Sequence, residues 1–237
     1  MTKETRIEQP EEQEKDEDKI YGTIYEAIMT QQLSPGFKLG EDSLAEIFKV
    51  SRARIRRVLL RLSYSRVVNL EPNRGAFVAS PSLQEAKEVF EARRIIEAAI
   101  VHTVTRTIAP DQIALLEDII ASEQIACEQG DRPTAIKLAG QFHLLLADMA
   151  GNRILKELLQ NLVSQTSLIV TLYEVSGFHR CTENGHRQLI QAIASGAPEQ
   201  AEQAMTQHLI EVEMSLNLNR SLNLPVRLQD ILKSHRA

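Results

Sequence analysis

Six arginines and no acidic residue occur between Ser51 and Arg66, a concentrated basic stretch in a chain of 237 residues. Arg52 and Arg56 are four residues apart and therefore share one face of a helix, with Arg54 projecting beside them. A guanidinium group is a planar fork that can grip a phosphate or bind guanine O6 and N7 together. The Ser51 hydroxyl can cap this helix, whose N-terminus can also donate hydrogen bonds to phosphate. The stretch predicts a surface that binds DNA.

The formal charge of the whole chain is -5, which hides this basic region. Residues 20–80 carry nine basic and five acidic side chains, whereas residues 1–19 carry four basic and eight acidic ones. The remainder, residues 81–237, has fourteen basic and nineteen acidic side chains. Affinity for phosphate is therefore expected from one region only.

The pattern of apolar residues predicts the elements that hold the basic stretch. Stripes with helical spacing predict three helices, at residues 20–32, at residues 41–48 and from Ser51 onward. Two short β-like runs follow, at residues 67–70 and 76–78, and the turn-rich residues 71–75 join them. Arg74 and Gly75 at this tip suit a contact with the minor groove or the DNA backbone. Gly75 has no side chain, so the protein backbone can approach the DNA closely there. Three helices followed by a hairpin are the parts of a winged helix-turn-helix.

The rest of the chain is predicted to be helical. Its six expected helices lie at residues 83–107, 110–129, 133–149, 152–174, 178–195 and 198–215. Helices of this length with short connections predict an antiparallel bundle. The fold class is thus mainly α, with an N-terminal winged helix-turn-helix and an all-α bundle. The expected divisions are a disordered acidic arm (1–19), the DNA-binding domain (20–79), the bundle (82–215), and a tail or extra helix (216–237).

Two histidines in the last predicted helices are placed symmetrically about a helix break at Ala197. His186 lies 11 residues before Ala197 and His208 lies 11 residues after it. If these helices fold back antiparallel, both imidazoles reach the same height, roughly 16 Å from the turn at 1.5 Å per residue. His143, in the middle of another helix, could complete a cluster of three imidazoles. Such a cluster suits Zn or Ni and leaves positions open for water or a ligand carboxylate, although a single histidine is more often a packed or exposed residue.

The stretch LSPGFKLGEDSLAEIFKVSRARIRRVLLRL, followed by NRGAFV, resembles the winged helix of the GntR family. The resemblance implies that residues of the third helix and of the wing contact DNA: Ser51, Arg52, Arg54, Arg56, Asn73, Arg74 and Gly75. Three departures stand out. Arg57 stands where the family usually has Glu, Ser65-Arg66 replaces a common acidic-Gly pair, and Asp42 replaces a DNA-contacting Arg of one known member. The operator sequence therefore does not transfer.

Residues 82–215 resemble the FCD effector domain of the FadR subfamily. The matching features are Glu91-Ala92-Arg93-Arg94-Ile95-Ile96-Glu97, Phe142-His143, Gly151-Asn152, and the late histidines His186 and His208. The resemblance supports a metal held by His143, His186 and His208, but Ala139 stands where metal-binding FCD domains usually have Asp. It also implies that Arg93 points inward, where it would bind the anionic group of a small carboxylate effector. The alternative for Arg93 is an internal ion pair with Glu97, four residues along.

Together these features predict a homodimer that binds a double-stranded DNA operator and responds to a carboxylate effector, with no organic cofactor and no membrane partner. Cys127 and Cys181 show no metal or redox spacing, which favours a reduced, cytoplasmic protein. Two alternatives remain. The bundle could be a metal-free dimerisation module, or the histidines could serve a metal-dependent hydrolase. Against an enzyme, the chain has no HExxH, nucleophile elbow or Gly-rich phosphate loop, and no carboxylate base is evident at a matching spacing.

Overall fold

The N-terminal part of the protein combines three helices with a small sheet in the computed structural model, which describes residues 10–174 and 183–218. The helices are α1 (Pro10–Met29), α2 (Glu41–Phe48) and α3 (Arg52–Tyr64). The strands are β1 (Lys38–Leu39), β2 (Val68–Glu71) and β3 (Gly75–Val78), antiparallel and in the order β1-β3-β2. The predicted winged helix-turn-helix is confirmed. Strand β1 was not predicted, because two residues are too few to show an alternating pattern.

The core of this domain forms where one face of α1 meets one face of α3. Ile20, Ile24 and Ile28 recur every four residues on α1 and are buried against Ile55 and Leu59 of α3. The hairpin of β2 and β3 closes the remaining side of this core. The opposite face of α3 is left to solvent, as its sequence predicted.

Helix α1 begins at Pro10, so residues 10–19, expected to be disordered, are helical, while residues 1–9 lie outside the described part. Glu, Gln and Lys are good helix formers, and carboxylates are favoured near a helix N-terminus. The segment also has tertiary partners: Asp16, Glu17 and Asp18 form ion pairs with arginines of α3. These partners are about 40 residues away in the sequence, and local composition does not reveal them.

The second part of the chain is a bundle of six described helices, as predicted. They are α4 (Leu83–Thr105), α5 (Pro110–Glu128), α6 (Arg132–Met149), α7 (Arg153–Tyr173), α8 (Glu183–Ala194) and α9 (Pro198–Met214). Residues 178–182 of the fifth predicted helix and most of the predicted tail lie outside the described residues, as do His179 and His235. Leu216, at the start of that tail, forms an antiparallel bridge with Glu174 and is buried.

Local signals explain where the bundle helices begin and turn. Ser82 accepts a hydrogen bond from the Glu85 backbone N–H, and the Glu85 carboxylate accepts one from the Ser82 N–H, a capping box that starts α4. Gly196 has φ +71°, a left-handed conformation that glycine adopts without strain, and it reverses the chain between α8 and α9. Because α8 packs on α9, and α4 packs on α6, α8 and α9, residues of α6, α8 and α9 can meet inside the bundle.

The two domains share a packed contact between α1 and α7. Leu168 of α7 is buried within the core of the winged helix domain. The hydroxyls of Tyr25 and Ser164 are hydrogen-bonded at 2.6 Å, and the Gln160 side-chain amide donates to the Tyr25 oxygen at 3.0 Å. Burial raises the pKa of Tyr25 above its ordinary value. This contact mechanically joins the bundle to the helix that supports α3.

Two sequence expectations concern the chemistry of the chain as a whole. Cys127 on α5 is disulfide-bonded, which corrects the expectation of reduced cysteines. Sequence spacing could not show this, because a disulfide depends on which cysteines the tertiary fold brings together. Within residues 10–174 and 183–218, no helix has both the length and the apolar character needed to cross a membrane.

Candidate functional site

The exposed side of α3 carries arginines on both flanks of its outer face. Ser51 is the N-cap, and its hydroxyl oxygen accepts a hydrogen bond from the Arg54 backbone N–H at 3.3 Å. The side chains of Arg52 and Arg56 are 56% and 62% exposed, on the flank nearest α2. Arg54 is only 11% exposed, since it lies against the N-terminal half of α1. Arg57 is 53% exposed on the outer face. The sequence did not single it out as a DNA contact, and its exposure makes it a further candidate.

The wing is the turn between β2 and β3, and its tip is exposed. Asn73 and Gly75 have φ values of +59° and +95°. Asparagine tolerates the first value, while the second favours glycine. The Arg74 guanidinium contacts the Glu71 carboxylate and lies over the Phe77 ring, 5.3 Å from its centre. The predicted wing residues are therefore brought together at the tip, beside α3 in the same domain.

His143, His186 and His208 meet inside the bundle and form the histidine cluster. They come from α6, α8 and α9, and each offers one ring nitrogen within 4.8 Å of the others. The ring centres of His186 and His208 are 4.5 Å apart, and that of His143 is 5.3 Å from each. All three side chains are buried. The symmetric placement about Ala197 predicted the meeting of His186 and His208, because α8 and α9 fold back antiparallel.

Two buried carboxylates lie beside the imidazoles. His186 Nδ1 is hydrogen-bonded to the Glu123 carboxylate at 2.9 Å, and His143 Nδ1 lies 2.5 Å from Glu97 Oε2, although these two atoms are not aligned as a hydrogen bond. Sequence spacing had matched no carboxylate to these histidines, and the packing of the helices brings two to them. Glu123 had a signal, because it extends the buried helical stripe of Leu116 and Ile120 on α5.

Burial favours the neutral imidazole at two members of the histidine cluster, His143 and His208. Burial lowers the pKa of His143 to about 4, against the opposing effect of the Glu97 charge. Burial also lowers the pKa of His208 well below its ordinary value. For Glu97, burial alone would raise the pKa, but the charge of Arg93 and the proximity of His143 hold it at about 2. Neutral imidazoles beside an ionised carboxylate are the state in which histidine binds a metal.

A glycine gives His208 its position. An ideal Cβ at Gly185 on α8 would lie 2.6 Å from His208 Nδ1, closer than a side chain tolerates. The absence of a side chain at Gly185 therefore allows α9 to bring His208 against α8.

The histidine cluster opens on a cavity of about 230 Å³ that Arg93 and Ala139 also line. Arg93 Nε donates to Glu97 Oε1 at 2.6 Å and its Nη1 donates to Thr166 Oγ1 at 3.2 Å. Its Nη2 is buried without a hydrogen-bond partner among the described residues. The ion pair with Glu97 is thus present, and it leaves both N–H groups of Arg93 Nη2 unpaired among the described residues. Ala139 supplies no ligand atom to the cluster.

Arg132, at the start of α6, lines the same cavity and was not predicted. Its Nη2 donates to the Val170 carbonyl at 3.2 Å and contacts the Glu174 carboxylate, while its Nε is buried and lacks a partner among the described residues. No sequence signal distinguished it, because an arginine in the first turn of a helix is usually solvated.

Both domains of the chain match known protein families. Residues 17–78 match the bacterial regulatory proteins of the gntR family, and residues 88–211, more than half of the chain, match the FCD domain. The chain is 26% identical over 227 residues to the HTH-type transcriptional repressor RspR of Escherichia coli K12, covering 94% of this chain and 97% of that protein. It is 26% identical over 209 residues to the HTH-type transcriptional regulator LutR of Bacillus subtilis 168, covering 78% and 94%.

Solved structures support the fold. A GntR transcriptional regulator from Rhodococcus sp. RHA1 has a TM-score of 0.76 at 23% identity, covering 84% of this chain and 96% of that one. Escherichia coli McbR/YncC has a TM-score of 0.73 at 21% identity, covering 84% and 97%. With both domain matches, the chain belongs to the GntR family of DNA-binding transcriptional regulators, in the FadR-like subfamily that carries an FCD domain.

Proposed function

We propose that the protein is a homodimeric, sequence-specific regulator whose affinity for its operator changes when a divalent metal and a small carboxylate occupy the cavity. The observation that supports this is one cavity bordered by three buried imidazoles and the spare N–H of Arg93. That cavity lies in a bundle joined through α7 to α1, which supports the DNA-binding domain. A regulator of this kind acts on the chromosome, so the proposal places it in the cytoplasm.

For DNA, α3 would enter the major groove and the wing would contact an adjacent groove or backbone. Arg52 and Arg56 are exposed on one flank of α3, where a guanidinium could reach a guanine edge. Arg54 is largely covered, so its contribution is expected to be smaller. Two copies of α3 in a homodimer would read half-sites related by two-fold symmetry, about one helical turn apart.

The substitution Arg56→Ala tests this reading of DNA. Since the operator is unknown, a duplex is first selected from a random library by the native protein. Loss of a base contact should weaken binding to the selected duplex by about 1–3 kcal/mol, with less effect on a scrambled duplex. Arg153→Ala, at the exposed start of α7, is the matched control and should leave both affinities unchanged. Equal loss on both duplexes would reduce Arg56 to a phosphate contact, and a native protein that retains no duplex would overturn the proposal.

The donor atoms fit a transition metal. The carboxylates of Glu97 and Glu123 stand beside Nδ1 of His143 and His186, an arrangement that leaves Nε2 of each ring as the ligand atom. Nε2 of His186 is buried without a hydrogen-bond partner among the described residues, which is costly unless something binds it. Three neutral imidazoles suit Zn²⁺ or Ni²⁺. A bound metal would supply positive charge and open coordination positions for the carboxylate of an effector, whose other contact is Arg93.

Metal binding is tested by titrating ZnCl2 and NiCl2 into chelator-treated, untagged protein in a calorimeter. We expect one metal per chain, and His186→Asn should abolish the binding because it removes one of three imidazoles. His102→Asn is the control, because His102 contacts Glu202 on the bundle surface, away from the cluster. A native protein that binds neither metal would leave a metal-free dimerisation bundle as the correct description.

The named relatives of this chain are transcriptional regulators, which supports regulation rather than hydrolysis.

A further inference from the structure

Arginines of α3 that would meet DNA are already paired with carboxylates of the same chain. On the flank nearest α2, Arg56 Nε donates to Glu41 Oε2 at 2.7 Å. Arg52 Nη1 lies 2.9 Å from Asp42 Oδ1, and its Nη2 donates to Glu41 at 3.4 Å. This flank is therefore neutralised from within the helix-turn-helix.

The other flank is neutralised by three consecutive acidic residues of α1, here called the acidic segment (Asp16, Glu17 and Asp18). Glu17 Oε1 accepts from Nε and Nη2 of Arg57, at 3.0 and 2.5 Å. Asp18 Oδ1 accepts from Arg61 Nη2 at 2.7 Å. Arg54 lies 3.9 Å from carboxylate oxygens of both Asp16 and Glu17. A phosphate that reaches this flank meets guanidinium groups that already hold anions.

These ion pairs contribute little to the stability of the fold. The side chains of Arg57 and Arg61 are about half exposed, and exposed ion pairs are typically worth about 0–1 kcal/mol. Their effect on DNA binding is larger, because each arginine that neutralises a phosphate contributes through counterion release. An arginine held by Glu17 or Asp18 must first exchange a carboxylate for a phosphate, and the released carboxylate then repels the DNA backbone.

We infer that the acidic segment is an intramolecular competitor for phosphate, which suppresses non-specific DNA binding and so raises the preference for the operator. The inference rests on the proposed reading of DNA by α3. Non-specific binding is almost wholly electrostatic, whereas operator binding adds contacts to base edges. Neutralising arginines at the edge of the interface therefore weakens non-specific binding by a larger factor. Arg57, which departs from the glutamate of the family pattern, is the residue that Glu17 holds.

The triple variant Asp16→Asn, Glu17→Gln, Asp18→Asn tests the inference, because it removes the charges and keeps the shapes. The probe is a scrambled duplex of about 30 base pairs, with affinity measured by fluorescence anisotropy over a range of KCl concentrations. Freeing Arg57 and Arg61 should steepen the slope of log K against log [KCl] by about 2, at about 0.9 for each phosphate contact. Non-specific affinity at low salt should rise about tenfold, and affinity for the selected duplex should rise by less.

The control changes the net charge equally but far from α3. Its substitutions, Asp118→Asn, Glu157→Gln and Glu199→Gln, affect exposed residues of α5, α7 and α9. This variant should keep the native slope. Circular dichroism and urea unfolding check that both variants fold, and the single variant Glu17→Gln should steepen the slope by about 1.

The outcomes separate the inference from the function beneath it. If the native protein binds its selected duplex but the triple variant has the slope of the control, the inference is overturned and DNA binding stands. If neither native protein nor variant binds any duplex, the proposed function fails and the inference fails with it.

Discussion

At the scale of single residues, the histidine cluster depends on what surrounds it as much as on the imidazoles. The Glu123 carboxylate is hydrogen-bonded to Nδ1 of His186, the Glu97 carboxylate lies beside Nδ1 of His143, and Arg93 balances the charge of Glu97. Gly185 is the least conspicuous member of this group. Its missing side chain is what allows His208 to sit against α8. Gly185 has no functional group, yet it determines where the imidazole of His208 can lie.

Gly185→Ala is expected to lower the free energy of unfolding, although alanine normally stabilises a helix interior by about 1 kcal/mol relative to glycine. The new Cβ would overlap His208 Nδ1 and force the imidazole or α9 to move. Urea unfolding measures the change. Gly22→Ala on α1 is the control, because a Cβ there meets nothing within 4 Å and should give the ordinary helix-stabilising gain. A similar gain in the free energy of unfolding at both positions would show that His208 accommodates a methyl group at position 185 without a clash.

At the scale of elements, α1 and α4 link the two halves of the molecule. Helix α1 presents one face to α3, uses Tyr25 to contact α7, and carries the acidic segment in its N-terminal half. Helix α4 follows the wing directly and carries Arg93 and Glu97 into the bundle. The capping box at Ser82 determines where α4 begins and therefore the position of those two side chains along it.

Ser82→Ala should cost about 1 kcal/mol of stability, because the first turn of α4 loses a side-chain acceptor for the Glu85 N–H. Ser122→Ala is the matched control. Ser122 lies within α5, where its hydroxyl only donates back to the Asp118 carbonyl, so this change should be neutral or slightly stabilising. Urea unfolding compares the two variants, and equal effects would mean that the cap contributes nothing to α4.

At the scale of the whole molecule, one helix, α7, borders both the cavity and the core of the winged helix domain. Val163, Thr166 and Ser167 of α7 line the cavity, while Leu168 of the same helix is buried in the winged helix core. A change in α7 on ligand binding would therefore act directly on packing under α1 and α3. Such coupling regulates affinity only if the effector binds the DNA-competent and DNA-incompetent states differently.

Leu168→Ala is expected to weaken both domains, because the cavity it leaves lies at their shared contact. A buried leucine truncated to alanine typically costs about 2–5 kcal/mol. Hydrogen exchange should then show reduced protection of amides in α1 and α3 as well as in α7. Leu189→Ala, deep in the bundle core, is the control and should reduce protection in the bundle alone. Unchanged protection of α1 and α3 in the Leu168 variant would mean that the domains are energetically independent.

Local signals in the amino-acid sequence predicted most of the helices and strands, but not strand β1 or the first turns of α1. Periodicity, the Ser82 capping box and the breaks at Gly151 and Gly196 each act over a few residues, so the six bundle helices and the winged helix could be predicted from them. The spacing of His186 and His208 about one helix break predicted their meeting, because an antiparallel hairpin equates positions at equal distances from its turn.

Which charges meet, in contrast, depends on how the helices pack. The pairing of Glu17 with Arg57, of Glu123 with His186 and the place of Arg132 on the cavity all join residues far apart in sequence. Hydrophobic periodicity identifies the buried face of each helix, but it does not specify which helices face each other or how they are rotated. Electrostatic partners depend on that arrangement within a few ångströms, and so they emerge only when the helices are packed.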